Sequence, residues 1–457
     1  MFEIRLKSIQ ILVLSYLGII LCGAVLLMLP WMHRGHLDFL DSLFTSVSAF
    51  TCTGLIVKDT SHDFTFWGQF VILALIQIGG FGYMTMLGLL YMFLHKRISN
   101  REKNLIRQSM NYPSHSGITS FIKKVLFFVL FIEGLGALIL MGYFYFRGFG
   151  LLESLWFGIF HSISAFNNAG FSTFSTNLID FRESVIVNFV ISALVIFGGL
   201  GYLVLIEVFW FLKTRCNLFS KVKTPKLARL SLHGKIILSY TVFLLLAGLC
   251  ATLLLEWNNA KSIGNFDFLD KVLSSFFISV NYRTSGFNTI DLSGLSNPSL
   301  FLASILMNVG AAPGGTAGGV KITTLAILLA FCIALFRDRP VRIFKRRIAE
   351  SSIKKAIGLF IIANLSFVFS IFLILYFEPT MRFIYILFEV SSAFATVGVS
   401  VGNGGVLSLS ANLSPPSQIV IMFLMFMGKM GVLTLWFAFK WRDKKTRIRL
   451  QEEKVIV

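Results

Sequence analysis

Four short stretches decide the fold: Thr-Cys-Thr-Gly-Leu (51–55), Asn-Asn-Ala-Gly-Phe (167–171), Arg-Thr-Ser-Gly-Phe (283–287) and Ala-Thr-Val-Gly-Val (395–399). Their glycines, Gly54, Gly170, Gly286 and Gly398, recur at intervals of 116, 116 and 112 residues. A fixed period of this kind marks a structural repeat. Four positions before each glycine stands an aromatic residue, Phe50, Phe166, Tyr282 or Phe394, and six before it stands Ser48, Ser164, Val280 or Ser392. A single such glycine reads as a helix C-cap or a packing site. Four in register, with the same neighbours, read as one device built four times.

The chain around these stretches is membrane material. Of 457 residues, 56% are hydrophobic and 14% charged, against about 25% charged in ordinary soluble domains. Eight apolar stretches are long enough to cross a hydrocarbon layer of about 30 Å as helices: Ile11–Met32, Trp67–Leu94, Val125–Phe146, Val185–Leu212, Ile236–Leu255, Phe301–Phe336, Ile357–Phe377 and Ile419–Trp441. No small-residue cleavage site follows the first, so it is expected to stay in the mature chain. The five cysteines, Cys22, Cys52, Cys216, Cys250 and Cys332, are scattered through apolar segments and point to neither disulfides nor a zinc site.

A net charge of +19 raises the question of nucleic acid, but the distribution of charge answers it differently. The segments Lys96–Lys124, Lys213–Lys235, Arg337–Lys355 and Lys440–Lys454, with Arg5 and Lys7, hold 31 of the 41 basic residues. All lie on one side if the chain crosses the membrane twice between successive segments, and short basic loops stay cytoplasmic. Both termini are therefore expected in the cytoplasm of a multi-pass protein in the cell membrane. The segments read first as topology signals that also attract anionic lipid, and second as a docking surface for a cytoplasmic partner. No nucleic-acid partner is implied.

Eight spans then form four pairs, each joined by an outward connection too long for a turn and too apolar for a solvated loop: Asp38–Leu55, Leu151–Phe174, Phe266–Asp291 and Met381–Ser400. Each holds a short helix-like stretch ending in a filter-like run. Non-helical backbone survives at bilayer depth only where protein or a water-filled cavity surrounds it. Short helices ending at mid-membrane aim the negative ends of their dipoles at the centre, which favours a cation there. The expected fold is an all-α integral membrane protein of four repeated units, each membrane helix, pore helix and membrane helix, around a central pore: a potassium-channel-like pseudo-tetramer. The units fall at about 1–95, 96–213, 214–337 and 338–457. Glycine permits angles that turn successive carbonyls toward one axis, and rings of carbonyls can replace the hydration shell of an ion. The expected filter is Thr51, Cys52, Thr53 and Gly54; Asn167, Asn168, Ala169 and Gly170; Arg283, Thr284, Ser285 and Gly286; and Ala395, Thr396, Val397 and Gly398. Potassium would meet the backbone carbonyls of Cys52, Thr53, Asn168, Ala169, Thr284, Ser285, Thr396 and Val397.

The runs Ser-Ala-Phe-Thr-Cys-Thr-Gly-Leu (48–55), Ser-Ala-Phe-Asn-Asn-Ala-Gly-Phe-Ser (164–172), Tyr-Arg-Thr-Ser-Gly-Phe-Asn (282–288) and Ala-Pro-Gly-Gly-Thr-Ala-Gly-Gly-Val-Lys (312–321), in that order and spacing, resemble the Trk/Ktr/HKT superfamily of potassium transporters. The similarity is greatest to the KtrB-type membrane subunits of bacterial Ktr uptake systems. It covers nearly the whole chain. The resemblance implies potassium transport, with the four filter glycines as its determinants; a serine at the first is typical of sodium-permeable relatives. It also implies a homodimer with one pore per subunit, a cytoplasmic ring of nucleotide-binding regulatory subunits of the KtrA/KtrC type, and sodium as an activator.

The stretch Phe301–Phe336 is too long for one span and is interrupted by Gly310, Pro313, Gly314, Gly315, Gly318 and Gly319, a density that breaks a helix. With Thr316 and Lys321 it reads as an intramembrane gating loop, as the resemblance also implies, or more simply as a kink. Lys429, inside the last span, is costly there and is expected to face the pore below the filter; the simpler reading is a snorkelling lysine. The resembling proteins usually carry arginine at this place, and lysine lacks its planar fork. Arg283 is expected behind the filter, paired with an acid such as Asp291 or Glu389. Glu133 and Glu207, within or at the end of apolar spans of the second repeat, each read as a partner for a basic residue of a neighbouring helix or as a proton or sodium site, a structural role being the simpler reading.

Enzymes are excluded by pattern. Gly-Gly-Phe-Gly (79–82) and Gly-Gly-Leu-Gly (198–201) follow no strand and read as helix-packing glycines, and no HExxH, GxSxG or P-loop pattern occurs. His161, on the second short helix, reads as a packed, hydrogen-bonded histidine, because one histidine without partners makes no metal site.

Overall fold

Four segments of mirrored design follow one another in the computed structural model, which describes residues 8–82, 118–216, 230–402, 406–432 and 435. Each has an outer helix, a short helix and an inner helix. The outer helices are Ser8–Leu27, Ile118–Phe146, Leu232–Glu256 and Glu350–Phe377; the short ones Phe39–Thr51, Leu151–Phe166, Phe268–Asn281 and Phe383–Ala395; the inner ones Phe66–Phe81, Val185–Gly199, Asn297–Asn308 and Pro415–Met430. The outer helices are long and apolar enough to cross a membrane. They turn Phe127, Leu138, Val242, Phe369 and Phe372 outward, an exterior suited to lipid rather than water.

The short helices lie in the interior. Phe44, Phe50, Phe160, Phe166, Phe277, Phe388 and Phe394, all on them, are fully buried. Hydroxyls lock each of the first three short helices to its own outer helix: Ser46 Oγ donates to the Ile20 carbonyl (2.7 Å), Ser162 Oγ to the Glu133 carbonyl (2.6 Å) and Ser279 Oγ to the Leu245 carbonyl (2.7 Å). Gly23, Gly136 and Gly248 lie under these serines, too close for a side chain.

Inner helices start at hydroxyl N-caps, Thr65, Ser184, Ser296 and Ser414, the residue type that satisfies free N–H groups. In the last two repeats the serine side chain makes no cap bond, and a carboxylate from the end of the outer helix binds the serine instead. Glu256 accepts from Ser296 N (3.0 Å), and Glu378 from Ser414 N (2.7 Å) and Ser417 Oγ (3.0 Å).

Among the described residues the inner helices are interrupted. The inner helices stop after 12 to 16 residues, and Gly82, Gly201 and Gly431 follow with φ of 76°, 82° and 82°. In the second repeat helix resumes at Tyr202–Cys216, bent by 109°; in the third it resumes at Ile322–Phe336. Three of these helices make a close contact just before they end. Gly79, Gly198 and Gly428 press their Cα atoms onto the carbonyls of Phe50, Phe166 and Phe394, where any Cβ would collide. The latter halves of the spans placed at Trp67–Leu94 and Ile419–Trp441 lie outside the described residues, as do most of the basic segments 96–124, 213–235 and 440–454. The basic segment 337–355 contains a hairpin of two-residue strands, Arg342–Ile343 with Arg346–Arg347. Among the described residues Cys22, Cys52, Cys250 and Cys332 are unpaired.

Candidate functional site

Each short helix unwinds in the same way. The residue two before each glycine takes left-handed angles: Cys52 (φ 54°), Asn168 (56°), Thr284 (74°) and Thr396 (54°). The glycines themselves have φ of 97°, 71°, 76° and 90° for Gly54, Gly170, Gly286 and Gly398, which a residue with a Cβ reaches only with strain. The turn is closed by backbone bonds, Thr53 N to Ser48 O (2.9 Å), Ala169 N to Ser164 O (2.8 Å) and Val397 N to Ser392 O (2.7 Å), the pattern by which a left-handed residue ends a helix. The side chain of the recurring serine secures the same turn: Gly54 N donates to Ser48 Oγ (3.1 Å), Gly398 N to Ser392 Oγ (3.0 Å), and Ser164 Oγ donates to Phe171 O (2.8 Å). The third repeat, with Val280 there, lacks this tie.

The four turns meet. A Cβ placed on Gly170 would stand 2.8 Å from Ser285 O; on Gly286 it would stand 3.1 Å from Val397 O and 3.2 Å from Thr53 O; on Gly54 it would strike Ala169 O, and on Gly398, Thr53 O. The carbonyls of Thr53, Ala169, Ser285 and Val397 thus each crowd the glycine of another repeat. A vestibule lies beyond them, lined by all four glycines together with Asp59, Ser172, Asn177, Asn288 and Ser400. Asn168 Nδ2 bridges from the second repeat to Thr284 Oγ1 (3.2 Å), while Thr51 and Thr53 hydroxyls pair within the first (2.7 Å). All four predicted segments, Thr51 to Gly54, Asn167 to Gly170, Arg283 to Gly286 and Ala395 to Gly398, are buried.

Between Asn308 and Ile322 the third inner helix opens into a loop rather than a kink. Val309 and Val320 pair across its neck, with Gly310 N donating to Val320 O (2.9 Å). Its tip is held on two sides. The second repeat supplies Gly199 O to Ala312 N (3.1 Å), Gly198 O to Thr316 N (3.4 Å) and Tyr202 N to Gly314 O (3.3 Å). The fourth supplies Thr396 Oγ1 to Gly318 N (2.9 Å) and Lys429 Nζ to Thr316 O (2.7 Å). Lys321 Nζ turns back onto the carbonyls of Ala317 and Gly318. Pro313, Gly314, Gly315, Thr316, Gly318 and Gly319 therefore run across the gap between repeats two and four. Since the same Thr396 ends the fourth short helix in a left-handed turn and holds the loop, the two features touch.

Some expectations fail on geometry. Arg283 is buried, but its terminal nitrogens have no hydrogen-bond partner. Neither proposed acid serves it: Asp291 accepts from Ser293 in its own turn, and Glu389 accepts from Ser400 Oγ (2.6 Å) and Ser410 N (3.0 Å). Nor does Glu133 pair with a base among the described residues; it takes amide donors from Gln77 and Asn167. Glu207 accepts from Ser231 Oγ (2.9 Å). His161 is packed, with Nδ1 at Phe157 O and Nε2 at Ser172 Oγ. The breaks at Gly82, Gly201 and Gly431 are not expected from hydropathy. Their signal is nonetheless present, because Gly79, Gly198 and Gly428 each begin a four-residue run ending in glycine.

Known proteins share this design. The family described as TrkH, cation transport protein, matches residues 7–446. The chain is 35% identical over 453 residues to the Ktr system potassium uptake protein B of Bacillus subtilis (strain 168), covering 99% of this chain and 97% of that one. It is 33% identical over 440 residues to the potassium/sodium uptake protein NtpJ of Enterococcus hirae, covering 95% and 93%. The crystal structure of the potassium transporter TrkH from Vibrio parahaemolyticus superposes with a TM-score of 0.74 over 96% of this chain and 87% of that one, at 17% identity, a likeness of fold.

Proposed function

Because the chain belongs to the TrkH family of cation transport proteins, which are multi-pass membrane transporters and not enzymes, we propose that it takes up potassium across the cytoplasmic membrane through a single four-part filter. One observation carries the reading: four left-handed turns of the same kind bring four glycines of one chain backbone to backbone. In this reading potassium exchanges its water for the carbonyls of Cys52, Thr53, Asn168, Ala169, Thr284, Ser285, Thr396 and Val397. The four repeats extend over about 1–95, 96–213, 214–337 and 338–457.

The loop 310–321 is the gate beneath. Lys321 and Lys429 place ammonium groups on its carbonyls and close the route by both obstruction and charge. Opening is driven by a cytoplasmic ring of nucleotide-binding subunits acting on a homodimer, with sodium as activator. The name of the Bacillus subtilis relative, a Ktr system protein, supports such a partner, and the basic segments offer it a cytoplasmic surface, with both termini on that side. A sodium-permeable carrier is the second reading, favoured by the name of the Enterococcus hirae relative. Glycine at position 54 weighs against it.

The test is rubidium and sodium uptake in bacteria lacking their own potassium uptake, with wild type and Gly286→Asp, each with and without a Ktr regulatory subunit. Rubidium uptake that the substitution abolishes, and that the subunit raises, is expected. Equal sodium uptake by both proteins, or no uptake by either, would overturn the reading.

A further inference from the structure

Beyond the four glycines the chain folds into short turns that wall the vestibule, and the repeats differ there. Five residues after Gly54, Gly170, Gly286 and Gly398 stand Asp59, Ser175, Asp291 and Asn403. Asp59 and Ser175 both line the vestibule, and Asp59 is the one charged residue among the described residues that line it.

The turn itself does not account for the charge. Ser61 N donates to Asp59 Oδ1 (2.9 Å), as Ser293 N donates to Asp291 Oδ1 (2.9 Å), a turn that asparagine makes equally well. The two aspartates differ in the second oxygen. Asp291 Oδ2 accepts from Ser293 Oγ (2.8 Å), whereas among the described residues no hydrogen bond reaches Asp59 Oδ2. Nor does a base neutralise it there. Lys58 pairs with Asp41 (3.4 Å), and the side chain that meets Asp59 within its turn is another acid, Asp63, whose Oδ2 accepts from Asp59 N (2.8 Å).

Asp59 is half-buried and belongs to the loop after the first short helix, not to a membrane helix. A carboxylate at a water-filled mouth keeps its hydration and its charge at neutral pH, and low-dielectric walls focus its field on the ions that enter. We propose that Asp59 serves uptake by gathering cations in the vestibule, which raises their concentration at the glycine ring without choosing among them. The proposal rests on the potassium pathway read above, with the vestibule as its outer mouth. Across about 10 Å of water and protein surface a single charge concentrates a monovalent cation about threefold at low ionic strength. Salt removes the effect, because the screening length shrinks from about 30 Å at 0.01 M to about 3 Å at 1 M.

Rubidium uptake at two ionic strengths, set with N-methylglucamine chloride and balanced osmotically with sorbitol, decides it. Asp59→Asn keeps the turn and removes the charge. Its apparent KM is expected about threefold above wild type at about 0.01 M ionic strength and equal to wild type at about 0.5 M, with the maximal rate and the preference for rubidium over sodium unchanged. Asp291→Asn, which alters the same turn away from the vestibule, is expected to leave KM unchanged at both. A merely structural role predicts a change that salt does not remove. A difference that persists at high salt, no difference at low salt, or an equal effect of Asp291→Asn would overturn the proposal. If Asp59→Asn fails to accumulate, Ser175→Asp adds a charge on the second repeat's wall of the vestibule and is expected to lower KM about threefold at low salt; an unchanged KM would likewise overturn it. Wild type without rubidium uptake would instead overturn the transport reading itself.

Discussion

Lys429 Nζ donates to the Thr316 carbonyl at 2.7 Å, across 113 residues of sequence. The bond joins the last inner helix to the tip of the third repeat's loop. A hydrogen bond to a charged group contributes about 1.5–3 kcal/mol, so it is a substantial part of what keeps the loop across the gap.

Lys429→Gln is therefore expected to raise basal cation leak by about tenfold or more, since each 1.4 kcal/mol is roughly a tenfold shift in population. Lys429→Arg keeps the charge and should keep the leak low. Rubidium efflux from loaded vesicles measures both; a Gln variant as tight as wild type would reduce Lys429 to a packing residue.

Thr396→Val removes the acceptor for Gly318 N (2.9 Å) and leaves that N–H unpaired. Losing one neutral hydrogen bond, worth about 1 kcal/mol, should raise basal flux roughly fivefold. It also puts a β-branched residue without the hydroxyl at φ 54°, so protein yield is to be measured alongside flux.

Shortening the loop within 312–318 removes the contacts to Gly198, Gly199 and Lys429 together. Flux should rise while the rubidium-to-sodium ratio holds, because the glycine ring is untouched. Parallel uptake of the two ions reads this directly, and unchanged flux would show that the loop is no barrier.

Gly398→Ala places a Cβ against the Thr53 carbonyl from a backbone at φ 90°. Both strain and collision act on the ring, so rubidium preference is expected to collapse before protein abundance does. Competition of sodium with rubidium uptake is the measurement.

Glu378, just beyond the last outer helix, is held below the ordinary carboxylate range: burial pushes its pKa up, but hydrogen bonds from Ser414 and Ser417 outweigh that. A group depressed in the folded state contributes stability above its unfolded pKa, near about 4.3, and loses it as pH falls through the lower folded value. The thermal midpoint of the purified protein should therefore fall more steeply below about pH 4 in wild type than in Glu378→Gln.

Much of the architecture is legible in the residues because it is local. The period of Gly54, Gly170, Gly286 and Gly398 reveals four repeats, and the need for positive φ at those positions is a property of each short segment alone. The same holds for the glycine and proline run of 310–319, whose loop follows from what those residues cannot do in a helix. Tertiary structure decided what depends on partners distant in sequence. Only the packing shows that Gly79, Gly198 and Gly428 lie against the carbonyls of Phe50, Phe166 and Phe394, just before the helices end at Gly82, Gly201 and Gly431 with positive φ. Arg283 stays unpaired because Asp291 and Glu389 are taken by nearby serines, and Glu133 meets amides because Gln77 and Asn167 arrive from two different repeats. Backbone conformation is set by the residue itself, whereas the partner of a buried charge is set by which helices pack beside it, and no spacing along the chain states that.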